Sequence, residues 1–181
     1  MNETIQKHDF LFELIEMFKA LDYKKNVLKE PLTTEERESW LELKNFLHLR
    51  LQKKPGNAVL PKEDDHREFL RVPVTVKATF LNGKDLADCY LKNISGGGVF
   101  IDTDNPPLLD SIITLRIFIK EKGIDLTVSG CVVWVNEKPS KESSFGKGVG
   151  VKFVGMSITE RKIVNELVND ALVDQLFEKK S

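Results

Sequence analysis

Residues 67–98, REFLRVPVTVKATFLNGKDLADCYLKNISGGG, decide how the rest of the chain is read. Val72, Val74, Val76, Ala78 and Phe80 alternate with Pro73, Thr75, Lys77 and Thr79, the period of a half-buried strand. Asn82-Gly83 follows, a dipeptide suited to the tight turn of a hairpin. A second strand candidate, Leu86–Ile94, runs into Ser95 and the glycines Gly96, Gly97 and Gly98. Arg67 and Arg71 stand four residues apart just before this strand pair, and Asn93 and Ser95 stand at its end.

Toward the C-terminus the same period recurs. Val99–Thr103, Ile112–Lys120, Ile124–Asn136 and Gly148–Val154 are the further strand candidates. In the fourth strand, Ile113, Leu115, Ile117 and Ile119 share a face, with Thr114, Arg116 and Lys120 opposite. Lys122-Gly123 supplies another tight turn. Six short strands with no helix between them predict a small antiparallel barrel, a mainly β fold with flanking helices. Thr159 to Phe177 then reads as a helix capped by Thr159 or Ser157. Its apolar stripe (Ile163, Val164, Leu167, Val168, Ala171, Leu172, Leu176, Phe177) is broad enough to cover the barrel and also meet another element or a second subunit.

Toward the N-terminus the period becomes helical. Phe10, Leu11, Leu14, Ile15, Phe18 and Leu21 mark a helix over Asp9 to Lys25, ended by Asn26 to Leu32 with its Pro31. Thr33-Thr34-Glu35-Glu36 fits a capping box, and Trp40, Leu43, Leu47 and Leu51 give the stripe of a second helix. Lys53 to Asp65, with Pro55, Gly56 and Pro61, has no period and reads as a linker. The expected division is a helical hairpin over 1–54, a linker over 55–65, and a barrel with its closing helix over 66–181. Such a hairpin cannot bury both apolar faces alone, so it must pack on the barrel or on a partner.

Composition narrows the function. The 181 residues are 41% hydrophobic and 30% charged, with a net charge of −1. That balance suits a globular chain and gives no broad attraction to nucleic acid or anionic membrane. An anion would have to be held by a local cluster of positive groups. Cys89 and Cys131 are single and distant, so they read as reduced structural thiols rather than zinc ligands or a disulfide framework. The N-terminus lacks a signal-peptide pattern, and no apolar run approaches the ~20 residues that span a bilayer. The expectation is a soluble cytoplasmic protein without membrane insertion. No nucleophile–base set, P-loop, HExxH or dinucleotide fingerprint occurs, so no catalytic residue, metal or cofactor is expected and the chain reads as a non-enzyme. His8 and His48 read as packed or solvated helix residues, Trp134 and Cys131 as barrel residues, and Asp64-Asp65 as linker charge.

The two polar clusters carry the chemistry. Guanidinium groups fork onto phosphate and onto the O6 and N7 of guanine. Consecutive glycines let backbone approach a ligand, adopt positive φ and turn N–H groups toward an anion. Asn93 and Ser95 add short side chains that donate and accept. The expected ligand is therefore anionic and contains guanine. In order and spacing these residues resemble the PilZ domain family, whose pattern is RxxxR before the first strand and (D/N)xSxxG after the second. Arg67 and Arg71 fill the first; Asn93, Ser95 and Gly98 fill the second; Gly148-Val149-Gly150-Val151-Lys152-Phe153 is similar to the family's last strand. The resemblance spans about residues 65 to 178 and leaves the hairpin unexplained.

That resemblance implies a bacterial receptor for the second messenger cyclic di-GMP. Arg67 and Arg71 would take phosphates and guanine edges, while Asn93, Ser95, Gly96, Gly97 and Gly98 hold another guanine against the barrel. His66 stands where many relatives carry a further arginine, which in the family accompanies a stacked ligand dimer. It would give the site a modest pH dependence or stand as a solvated linker residue, and it leaves stoichiometry open. Folding the arginine segment onto ligand would restrict the hairpin's position and relay the signal through this conformational change to an unidentified protein partner. A homodimer is the other use for the hairpin's apolar faces. The alternative is a PilZ-like protein–protein interaction module that binds no nucleotide. A nucleic-acid polymer as partner is disfavoured by the near-neutral charge and by only two Trp and two Tyr.

Overall fold

The structure is a computed structural model that describes residues 2–52, 67–137 and 146–177, without the side chains of 2–8. The linker 55–65, His66 and the side chain of His8 lie outside the described residues. Helix α1, Asn2–Asp22, passes into a π turn, Tyr23–Val27, and α2 follows at Thr34–Gln52. Strands β1 Val72–Asn82, β2 Asp85–Ser95, β3 Gly98–Asp102, β4 Ile112–Ile119, β5 Ile124–Asn136 and β6 Gly148–Val154 precede helix α3, Ile158–Phe177. All neighbouring strands pair antiparallel, and the sheet closes in the order β1-β2-β3-β6-β5-β4.

The expected punctuation is present, with one shift. Asn82 pairs with Asp85, so the loop residues are Gly83-Lys84 rather than Asn82-Gly83. Gly83 has φ 63°, so glycine stands at the first central position, as in a type II′ turn. The helix starts are capped reciprocally. The Glu36 N–H donates to Thr33 Oγ1 and the Thr33 N–H to Glu36 Oε2, at 3.2 and 2.8 Å. Ser157 and Glu160 repeat the device at α3, which settles Ser157 over Thr159 as its cap. Both glutamate carboxyls are held below their ordinary range, Glu36 chiefly by the ammonium of Lys24 and then by the Thr33 N–H, Glu160 by Ser157.

The barrel interior and the three helices share one apolar core. Ile15 and Phe18 of α1, Trp40, Leu43, Leu47 and Leu51 of α2, and Val164, Leu167, Val168 and Leu172 of α3 are continuous with Leu91, Leu115, Ile117 and Val149 of the barrel. Phe10, counted with the α1 stripe from its spacing, is instead exposed. α3 lies against β1, β2, β5 and the π turn. Its Arg161 donates to the carbonyls of Val27 and Met156 at 3.1 and 2.9 Å, pinning the hairpin to the barrel's closing helix. Within the hairpin, buried Asp22 accepts from Asn26 Nδ2 at 2.7 Å and Trp40 Nε1 at 3.0 Å. Burial raises its carboxyl pKa against the lowering pull of these bonds. Both cysteines are free, and burial, with the nearby Asp88, pushes the Cys89 thiol up to about 12. That thiol is inert.

Candidate ligand-binding groove

Three irregularities in the ladders lie beside one another. β1 carries an extra residue against β2 between Pro73 and Val76. β2 carries one against β3 between Leu91 and Asn93, and β5 one against β6 between Val132 and Trp134. An extra residue reverses the in–out alternation beyond it. On β2, Cys89 and Leu91 point into the core, but past the bulge Ile94 takes the core and Asn93 and Ser95 face the other way. On β5, Leu126, Val128 and Val132 point inward, so strict alternation would put Trp134 inside. The bulge turns it outward, 43% exposed, against Phe100 with ring centroids 5.6 Å apart.

The outward-turned residues line a groove of about 560 Å³. Arg67, Glu68, Phe69 and Arg71 line it together with Asn93, Ser95, Gly97 and Gly98. Phe100, Val133, Trp134 and Lys152 belong to the same lining. The structure therefore brings together Arg67, Arg71, Asn93, Ser95, Gly97 and Gly98, which come from two segments separated by the β1–β2 hairpin. The arginines are exposed at the mouth, while Asn93 and Ser95 are buried in the wall. Ser95 Oγ donates to the Gly98 carbonyl at 3.1 Å, fixing the β2–β3 turn.

The glycines meet steric demands within the fold, without the positive φ expected of them. None of Gly96, Gly97 and Gly98 has positive φ. The ring of Phe69 lies over the turn, and a Cβ on Gly96 or Gly97 would come within 2.9 or 2.6 Å of its carbons. Gly96 is covered in this way and does not line the groove. A Cβ on Gly98 would meet the Val151 carbonyl at 2.2 Å, so that glycine permits the close β3–β6 approach. These are steric requirements. The Gly97 carbonyl accepts from the Phe153 N–H at 3.0 Å, tying the turn to β6.

Sequence reasoning missed Phe69, Phe100, Trp134 and Lys152. Trp134 is a residue of barrel strand β5, as its place in the sequence predicts, but the bulge sends its side chain outward. The one available signal was Val132-Val133-Trp134, three large apolar residues in succession where a half-buried strand should alternate.

The architecture and this groove can be set beside known proteins. A family model described as PilZ domain matches residues 65–170, more than half of the chain. The chain belongs to the PilZ domain family. That membership sets it among binding proteins rather than enzymes. No curated protein matches the chain. Among solved structures, the PilZ barrel here is similar to the inhibitor of motility MotI/DgrA of Bacillus subtilis. The identity is 12%, the TM-score is 0.51, and 64% of this chain and 56% of that one are covered. It is also similar to MrkH of K. pneumonia, whose structure is a complex with c-di-GMP. There the identity is 17%, the TM-score 0.52, and the coverage again 64% and 56%. The chain spans little more than half the length of either protein, and identities this low show a shared fold alone. Among the described residues no helix is long and apolar enough to cross a membrane.

Proposed function

We propose that this PilZ protein is a receptor for cyclic di-GMP, which occupies the groove and whose binding is relayed to a partner protein. Arg67 and Arg71 fork onto phosphate oxygens and a guanine edge. Asn93 and Ser95 hydrogen-bond the second guanine, and the Gly97-Gly98 backbone lets it lie close to the wall. Trp134 offers a base the face of an indole, and Lys152 adds a cation beside Gly98.

One observation carries this reading. Both arginines of the RxxxR segment and the Asn, Ser and Gly of the second motif line a single groove together with an exposed tryptophan. Planar cations, short amide and hydroxyl groups and an aromatic face are what a guanine dinucleotide requires. Family membership, and the complex of MrkH with c-di-GMP, support the choice of ligand.

Calorimetric titration with cyclic di-GMP tests it. The wild-type chain is expected to bind, and Arg67→Ala and Arg71→Ala to weaken binding at least tenfold each, about 1.4 kcal/mol. Equal heats from all three proteins would remove the roles given to the arginines.

A further inference from the structure

The N-terminal hairpin holds the arginine segment directly, through two lysines. Lys44 of α2 is 5% exposed, and its ammonium donates to the backbone carbonyl of Arg67 at 2.5 Å. Lys25 of the π turn lies 3.4 Å from a Glu68 carboxylate oxygen and 5.7 Å from the centre of the Phe69 ring. Trp40 lies beneath both ammonium groups, 4.5 Å from that of Lys25 and 5.1 Å from that of Lys44. Its indole N–H is anchored in turn on buried Asp22. Phe69 rests on the Gly96-Gly97 turn. An unbroken line of contacts therefore runs from the hairpin interior to the groove wall, and it passes through the five residues that carry Arg67 and Arg71.

The two lysines differ in what they need from that segment. Lys25 is half-buried and can turn to water if Glu68 moves. Lys44 is deep enough that lifting the segment would withdraw an acceptor from a buried ammonium, which is costly. The seated position of the arginine segment is therefore favoured by the hairpin before any ligand arrives. A loop held near its bound geometry loses less conformational freedom on binding, and the saving appears as affinity. Arg161 keeps the π turn in place from the other side, so the clamp has a fixed base on α3.

We infer that Lys44 and Lys25 are positioning residues for the ligand site: the helical hairpin presets the RxxxR segment at the groove, and ligand occupancy in turn tightens the hairpin's hold on the barrel. This rests on the reading of the groove as a cyclic di-GMP site. Reciprocity follows from linkage, since the factor by which the clamp raises ligand affinity equals the factor by which ligand favours the clamped state.

The test uses the full chain and cyclic di-GMP, with calorimetry and amide hydrogen exchange. Lys44→Met keeps the length and apolar stem of the side chain and removes its charge and donor. It is expected to weaken binding about tenfold, and Lys25→Met about threefold, at unchanged stoichiometry. Saturating ligand is expected to slow exchange across residues 34–52 of the wild type about tenfold, and markedly less in Lys44→Met. A merely structural lysine would lower the melting temperature without altering the ligand's effect on α2 exchange. Wild-type affinity in Lys44→Met, or α2 exchange that ignores ligand in the wild type, overturns the inference while the receptor reading stands. A wild-type chain that gives no heat with cyclic di-GMP overturns both. If Lys44→Met does not fold, Lys25→Met decides by the same criteria.

Discussion

The β4–β5 wall and the groove rim belong to the same barrel and differ in regularity. Between Ile112–Ile119 and Ile124–Cys131 every residue has its partner in step, and Ile113, Leu115 and Ile117 point inward without interruption. At the rim, three ladders each gain a residue within a few positions of the groove. Where alternation is kept, the sheet has one face for the core and one for water. Where it is broken, polar and aromatic side chains that continued alternation would send inward are re-aimed into a shared concavity. The barrel thus keeps its uninterrupted core face and its groove on different walls.

The comparison can be broken first at the regular wall. Leu115 is fully buried, and Leu115→Ala is expected to cost ~2–5 kcal/mol of stability. Urea denaturation should show that loss, while ligand affinity measured well below the unfolding midpoint stays at the wild-type value. A large affinity change would mean that the two walls are not independent.

At the rim the pattern should invert. Trp134→Ala removes a side chain that is 43% exposed, so the stability loss is expected to be at most about 1.5 kcal/mol, the worth of its ring contact with Phe100. Cyclic di-GMP affinity should fall by ~1–3 kcal/mol, the usual yield of a base stacked on an aromatic ring. Titration and thermal melts on the same sample separate the two effects. A variant that melts earlier but binds normally would return Trp134 to a purely structural role.

The smallest effect is expected on the outer face of the regular wall. Arg116 donates from Nε and a terminal nitrogen to the two Asp125 oxygens at 2.8 and 2.6 Å. Beside that guanidinium the Asp125 carboxyl sits below its ordinary value of 3.8. A carboxyl depressed in the folded state stabilises it above the unfolded pKa, and the benefit fades as pH falls through the folded one. Asp125→Asn should therefore melt slightly below wild type at neutral pH and match it in strong acid. Because the pair is fully exposed, added salt should shrink the gap. A gap that persists in acid and high salt would point to packing rather than charge.

Much of this was legible in the chain as written. The six strands fall within a few residues of their expected bounds because period-two burial is a local pattern. The Thr33–Glu36 capping box could be read because its partners lie three residues apart, whereas at α3 the choice between Ser157 and Thr159 needed the structure. Arg67, Arg71, Asn93, Ser95 and the glycines were named as candidates from spacing and side-chain chemistry. Why Gly96 and Gly97 must be glycine was not legible, since the ring that needs the space belongs to Phe69, more than twenty residues earlier. Nor was the outward turn of Trp134, which hangs on a single extra residue in a ladder with β6.

The sequence by itself determined the strands, the helices, the barrel class and the two polar motifs, because those follow from local periodicity and from what guanidinium, amide and hydroxyl groups can do. Tertiary structure alone decided which candidates share a groove, which way the bulged strands aim their side chains, and that Lys25 and Lys44 reach the arginine segment. Register and long-range contact are set by the simultaneous packing of every strand and helix, and no short stretch of the chain contains that information.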